Sequence, residues 1–140
     1  MSGGEISGNY INSWNGGPAY GGGVYSNDTF KFTGGTITGN KVQSEYMNVY
    51  GGGVCNDQGG EFTMSGGTIS NNTAKTDGVC KGGGVCIYPS AFTMSGGEIS
   101  DNQALTYTAS ASPNSCDGGG IYFDSGTSGD RKSTRLNSSH

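Results

Sequence analysis

Short segments in which apolar and polar residues alternate recur along the chain. FTMSGGTISNN starts at Phe62, and FTMSGGEISDN starts 30 residues later at Phe92. In both segments two apolar residues flank a threonine, and an isoleucine follows the glycine pair. Alternation with period two predicts short strands with one buried face. No segment keeps the 3.6-residue period of a helix, so the sequence predicts an all-β protein.

The alternating segments belong to a repeat that is present four times. The copies SGGEISGN, TGGTITGN, SGGTISNN and SGGEISDN start at residues 2, 33, 65 and 95, with intervals of 31, 32 and 30 residues. Each copy later reaches a glycine triplet followed by Val or Ile. Between the last Asn of a copy and its triplet lie 11, 10, 9 and 15 residues of variable sequence. Variation is therefore confined to one part of the repeat.

A unit of about 30 residues with three short strands cannot bury its own apolar face. Stacking the copies buries that face, because each strand then pairs with its equivalent at ~4.8 Å. We therefore expect a right-handed parallel β-helix over residues 1–125, with about four rungs and no caps. A β-propeller is the rival architecture, but its blades need a fourth strand, which the repeat does not display.

An asparagine ends every conserved segment. In a stacked solenoid, an amide at a bend can hydrogen-bond to its equivalents in the rungs above and below. We predict such a structural ladder, with ligand binding as the alternative role, for Asn9, Asn40, Asn72 and Asn102.

Four cysteines fall into two repeat positions. Cys55 and Cys86 directly follow the triplet valine, and Cys80 and Cys116 stand two residues before a triplet. Stacking brings each pair onto adjacent rungs, within the Cα separation that a disulfide tolerates. Side chains on in-register parallel strands point the same way, which is an unfavourable disulfide geometry. The position of Cys80 and Cys116 at the exit of the variable stretch favours that pair, and free thiols are the alternative for both pairs.

Aromatic residues are concentrated in the variable stretches. If these stretches are loops that leave the same corner of every rung, their aromatic side chains form a ribbon along one side of the solenoid. Exposed Tyr and Trp suit contacts with glycans or proteins, although they could also simply cover the flank. The candidate binding-loop residues are Tyr10, Trp14, Tyr20, Tyr46, Tyr50 and Tyr107.

The charged residues argue against several functions. Residues 1–129 hold ten carboxylates and four lysines, a net charge of about −6, which disfavours nucleic-acid binding. They contain no Arg and no His, which excludes Ser-His triads, and the four lysines, the other usual base of a uronate lyase, occupy different repeat positions. A glycosidase pair formed by Asp57 and Glu61 is one interpretation, but solvated turn carboxylates are the favoured one. We expect no metal or cofactor, and no apolar run is long enough to span a membrane.

The last residues of the chain lack the glycine-rich repeat pattern. We expect a disordered tail at 126–140, and DRKSTRLNSSH, which starts at Asp130, resembles a translated sequencing adapter.

The Asn-terminated copies ISGN, ITGN, ISNN and ISDN, which alternate with GGGV or GGGI, resemble the repeats of chlamydial-type polymorphic outer membrane proteins. The resemblance covers residues 1–125, although Gly replaces the Ala frequent at the third triplet position. It implies a non-enzymatic, adhesin-like stalk that is secreted or lies on the bacterial cell surface.

Met1 occupies the position of Met64 and Met94, so we expect an internal methionine of a longer parent. The alternative is a fragment of a pectate-lyase-like, carbohydrate-active enzyme whose catalytic rungs lie elsewhere, since the fold alone does not decide function.

Overall fold

The chain folds as a parallel β-solenoid. A computed structural model describes residues 1–14, 16–88, 91–108, 116–124 and 131–134, which contain strands and no helix. Four sheets run along the solenoid, and each stacks strands from all four repeats, so that about three turns separate the first repeat from the last. The predicted all-β solenoid is confirmed. Its right-handed winding stays a prediction from the handedness of parallel crossover connections.

Each sheet collects the same segment of successive repeats. Sheet A contains β1 (Glu5–Ser7), β5 (Phe30–Phe32), β6 (Thr36–Thr38), β10 (Glu61–Ser70) and β14 (Ala91–Ser100). Sheet B contains β2 (Tyr10–Ser13), β7 (Lys41–Ser44), β11 (Thr73–Lys75) and β15 (Gln103–Leu105). Sheet C contains β3 (Ala19–Tyr20), β8 (Val49–Tyr50), β12 (Cys80–Lys81) and β16 (Cys116–Asp117). Sheet D contains β4 (Val24–Ser26), β9 (Val54–Asp57), β13 (Val85–Tyr88), β17 (Ile121–Asp124) and β18 (Arg131–Thr134).

The variable stretches are not simple loops. Each forms two strands, one in sheet B directly after the Asn and one in sheet C before the glycine triplet. These strands are two to four residues long and pair in register with their equivalents in neighbouring repeats. Their inward positions carry apolar residues of different sizes, such as Ile11, Val42, Ala74 and Ala104, and the strands are short, which explains why sequence alternation did not reveal them.

Identical or similar side chains stack in columns on the inner faces. Ile6, Ile37, Ile69 and Ile99 form one column, and an aromatic column joins Phe30, Phe62 and Phe92 with ring centroids 5.3 and 5.4 Å apart. One apolar cluster joins sheets A and D, and a second joins sheets B and C. Within β10 and β14 the Ser-Gly-Gly segment forms a β-bulge, so the strand bends without ending.

The glycine triplets separate these two clusters. Gly83 is the middle glycine of the third triplet, and a Cβ added to it would lie 2.3 Å from the carbonyl group of Gln103. A Cβ on Gly84 would lie 2.7 Å from the side-chain nitrogen Nδ2 of Asn102. The second triplet approaches Thr73 and Asn72 in the same way. Triplet backbone therefore packs directly against the start of sheet B, and only glycine leaves room for this contact.

The asparagines opposite the triplets form a continuous ladder (the Asn ladder: Asn9, Asn40, Asn72 and Asn102). Each Nδ2 donates to Oδ1 of the next asparagine, at 3.0, 3.0 and 2.9 Å from the first pair to the last. The backbone amides of the first three asparagines donate to the same oxygens. From the second rung onward, Nδ2 also donates to the isoleucine carbonyl of the preceding rung. The ladder thus satisfies polar groups that the stacked rungs bury.

Four residues of the predicted tail differ from the disorder expected for 126–140. Strand β18 pairs antiparallel with β17, the last strand of sheet D, so that Ile121 faces Thr134. An edge strand offers unpaired amide and carbonyl groups to any extended segment, and this pairing requires no repeat pattern. Residues 126–130 and 135–140 lie outside the described part of the chain.

The ladder predicts a position-dependent stability effect. In Asn72→Ala, the buried carbonyl of Ile37 loses its donor and the amide groups of Asn40 lose an acceptor. We expect a loss of about 3 kcal/mol in the free energy of unfolding, measured by urea denaturation. Asn9→Ala is the control, because Asn9 is exposed at the ladder's end and should cost about 1 kcal/mol. Equal losses in the two variants would contradict a cooperative ladder.

Candidate functional site

An open groove of about 460 Å³ lies beside the end of sheet B. Its lining residues come from all four repeats and combine aromatic, amide and carboxylate side chains: Asn12, Trp14, Gln43, Glu45, Asp77, Tyr107 and Thr108. This volume falls within the usual range of small-ligand sites, about 300–1,000 Å³.

Four of these residues occupy one repeat position and are called the groove row here: Trp14, Glu45, Asp77 and Tyr107. Each stands five residues after its Asn of the ladder. Trp14 and Glu45 directly follow Ser13 and Ser44, which are paired across β2 and β7. The backbone amide of Asp77 donates to the carbonyl of Glu45 at 3.2 Å. The groove row therefore presents an aromatic residue, two carboxylates and an aromatic residue on successive rungs.

Asp77 shapes the fourth-repeat end of the groove. Its Oδ1 accepts hydrogen bonds from the backbone amides of Tyr107 at 2.7 Å and Thr108 at 2.9 Å. The hydrogen bond from Thr108 has the largest effect and, together with that from Tyr107, lowers the pKa of the Asp77 carboxyl. The nearby Lys75 lowers this pKa further. Asp77 thus holds a negative charge in the groove while it orients Tyr107. Lys75 places its ammonium 4.6 Å from the Tyr107 ring centroid.

Polar contacts also position the other half of the groove. The Tyr46 hydroxyl donates to Oε1 of Glu45 at 2.6 Å, and this hydrogen bond raises the pKa of the Tyr46 phenol. Gln43 Nε2 donates to the Tyr10 hydroxyl one rung away. Asn12 and Gln43 face each other across β2 and β7, so their amides lie side by side.

The six predicted aromatic residues occupy two flanks rather than one ribbon. Trp14 and Tyr107 line the groove, and Tyr10 and Tyr46 lie beside it. Tyr20 and Tyr50 stack on sheet C with centroids 5.0 Å apart. The single-corner prediction is wrong because each variable stretch runs around two sheets. Tyr10, Tyr20 and Tyr50 are also strand residues, not loop residues.

Tyr25 extends the aromatic pair of Tyr20 and Tyr50, although the sequence pattern did not single it out. Tyr25 lies on sheet D, with its ring centroid 5.5 Å from that of Tyr20. Its hydroxyl donates to Oδ2 of Asp57 at 3.4 Å. Asp57 also accepts from the amide of Gln58, and Glu61 is exposed at the start of β10. The carboxylates that line the groove are instead Glu45 and Asp77, which the sequence reasoning did not select.

The cysteines behave differently in their two repeat positions. Cys80 and Cys116 form a disulfide between β12 and β16 with a Cα separation of 4.4 Å, and this disulfide links the third and fourth rungs. Cys55 and Cys86 are free thiols that stack in register on sheet D, buried together with Tyr122 and packed against Tyr50. A hydrogen bond with Cys86 and burial raise the pKa of the Cys55 thiol well above its ordinary value.

Comparison with known proteins gives no match. No family model matches the sequence, and neither a curated protein nor a solved structure matches it significantly. The resemblance to polymorphic outer membrane protein repeats and the resemblance of the tail to an adapter therefore stay proposals. Among the described residues no helix is both long and apolar enough to cross a bilayer. The same residues contain no cluster of three or more His, Cys, Asp or Glu side chains suited to a metal ion.

The cysteine arrangement predicts a stepwise labelling pattern with iodoacetamide, measured by intact-protein mass spectrometry. The native oxidised protein should take up no label, because both free thiols are buried and the thiolate is the reactive form. Urea should expose the two free thiols, and urea with reductant all four cysteines. Labelling of the native protein, or four labels without reductant, would contradict the arrangement.

Proposed function

We propose that this chain is a non-enzymatic, adhesin-like β-solenoid of the bacterial cell surface or extracellular space that binds a glycan through its groove. The observation that carries the proposal is the groove row. The four residues of this row line one groove with two aromatic rings and two carboxylates, and Asn12 and Gln43 line it too. Flat apolar surfaces surrounded by hydrogen-bonding groups suit sugar rings, which have an apolar face and a rim of hydroxyls.

The disulfide supports an extracellular location. Disulfides persist in oxidising compartments and are rare in the reducing cytosol. Cys80 and Cys116 form such a disulfide, which links two strands that are already paired in sheet C. The similarity to repeats of chlamydial-type polymorphic outer membrane proteins supports the same location and a stalk-like role.

The size of the site favours a glycan over a protein partner. Stable protein interfaces involve about 20–30 residues on each partner, far more than the seven residues that line the groove. The groove also runs across four rungs, a span of about 14 Å from three strand spacings of ~4.8 Å. An extended oligosaccharide fits this elongated shape.

The electrostatics of the groove favour binding over hydrolysis. The general acid of a glycosidase needs a raised pKa, whereas two backbone amides lower the pKa of Asp77. Fixed in this way, Asp77 serves as a permanent acceptor and does not suit proton donation near neutral pH. We therefore place the alternative, a pectate-lyase-like fragment, second.

Glycan binding should depend on the aromatic ends of the groove row. We expect Trp14→Ala to weaken binding at least about tenfold, because a single aromatic contact contributes on the order of 1.4 kcal/mol or more. Binding is measured on an array of neutral, amino-bearing and acidic oligosaccharides, followed by calorimetry with the best binder.

Tyr25→Ala is the matched control, since Tyr25 is an exposed aromatic residue on sheet D, outside the groove. Equal weakening in both variants would contradict a groove site. Binding to no glycan on the array would contradict the proposed function.

A further inference from the structure

The two central positions of the groove row carry like charges on adjacent rungs. Glu45 and Asp77 are neighbours through the hydrogen bond from the Asp77 amide to the Glu45 carbonyl. Equivalent backbone positions on stacked strands are separated by ~4.8 Å, and like charges at this distance destabilise each other. Among the described residues that line the groove, two are carboxylates and none is basic.

Lys75, whose charge acts on Asp77, is not among the residues that line the groove. Lys75 lies over the outer aromatic ring, with Nζ 4.6 Å from the Tyr107 centroid. Tyr46 donates a neutral hydrogen bond to Glu45, and neutral backbone amides donate to Asp77, so one oxygen of each acid is engaged by a donor that carries no charge. The centre of the groove is therefore a negative site between two aromatic rings.

A cation placed there gains from every group of the row. An ammonium between the two carboxylates relieves their repulsion and forms charge-assisted hydrogen bonds. The flanking rings of Trp14 and Tyr107 also attract positive charge. In contrast, a uronate or sulfate group would meet these carboxylates and a net charge of about −6 over residues 1–129, from ten carboxylates and four lysines.

We propose that the ligand is an oligosaccharide with free amino groups, a cationic glycan. One ammonium lies between Glu45 and Asp77, and sugar rings on either side of it lie on Trp14 and Tyr107. The span of about 14 Å, from three strand spacings, requires several linked sugar units rather than a single one. This inference rests on the proposed glycan-binding function and adds the chemical class of the ligand.

The test compares two probes that differ at the amino group, which is a charged ammonium in one and a neutral acetamide in the other. Glucosamine oligosaccharides and their N-acetylated counterparts of equal length are titrated into the whole protein by calorimetry at low and high salt. We expect the amino form to bind at least about tenfold more tightly at low salt, with the preference decreasing as salt screens the carboxylates.

Two double variants isolate the groove from the overall charge. Glu45→Gln with Asp77→Asn removes both groove charges and keeps an amide oxygen as the acceptor for the amides of Tyr107 and Thr108. Glu61→Gln with Glu98→Gln removes two exposed carboxylates of sheet A and gives the same net charge. We expect the first variant to abolish the preference for the amino form and the second to retain it.

The outcomes separate this inference from the function on which it rests. Tighter binding of the acetylated form, equal binding of both forms, or a preference that survives the groove variant would overturn the cationic-glycan inference. Binding that stays dependent on Trp14 in those cases leaves the proposed function standing. Binding of neither oligosaccharide overturns the inference, and with an array on which no glycan binds it overturns the proposed function as well.

Discussion

The contact between the glycine triplets and the Asn ladder is the constraint on which the other features of the solenoid depend. Triplet backbone approaches the first residue of sheet B so closely that a Cβ on Gly52 would lie 2.5 Å from the Thr73 carbonyl carbon. On the other side of this contact, the interior ladder amides, Asn40 and Asn72, bond to the rungs above and below. One narrow polar seam therefore divides the cross-section into two apolar clusters and fixes where every turn begins.

A fixed starting point for each turn brings equivalent residues of the variable stretches into one row. Because sheet B starts at a ladder Asn, the fifth residue after each Asn lies in the same row whatever its identity. Side chains in that row can change without disturbing the scaffold, and here they are Trp14, Glu45, Asp77 and Tyr107. In the proposed function, recognition therefore falls to residues that vary, while residues that repeat provide the register.

The sequence allowed the solenoid and its ladder to be predicted, because stacking requires similar residues at every repeat. Ile37 on Ile69 and Asn40 on Asn72 leave a periodic signal. Sheet B left a weaker signal, since an apolar residue stands two positions after every ladder Asn but varies in size, and the neighbouring positions carry residues as different as Tyr10 and Lys41. The steric role of the triplets was also missed, because a turn glycine and a close-contact glycine look alike in a sequence.

The groove was only partly predictable. Trp14 and Tyr107 stood out as aromatic residues, but Glu45 and Asp77 resembled ordinary surface acids. Counting five residues from each ladder Asn would have united all four, yet this count has meaning only once sheet B is known to start there. Cys80 and Cys116 were paired by their repeat position, whereas the strand at Arg131–Thr134 follows from an open sheet edge and has no repeat signature.

The free energy of unfolding of Gly83→Ala tests the central constraint most directly. Gly83 does not need a left-handed backbone, so an added Cβ acts through its close approach to the Gln103 carbonyl group and to the carbonyl oxygen of Gly119 in the next triplet. We predict a loss of about 4 kcal/mol or more relative to the native sequence. Gly16→Ala, whose Cβ would meet nothing within 4 Å, should change stability by no more than about 0.5 kcal/mol. Equal stability of the two variants would contradict the packing of triplet against ladder.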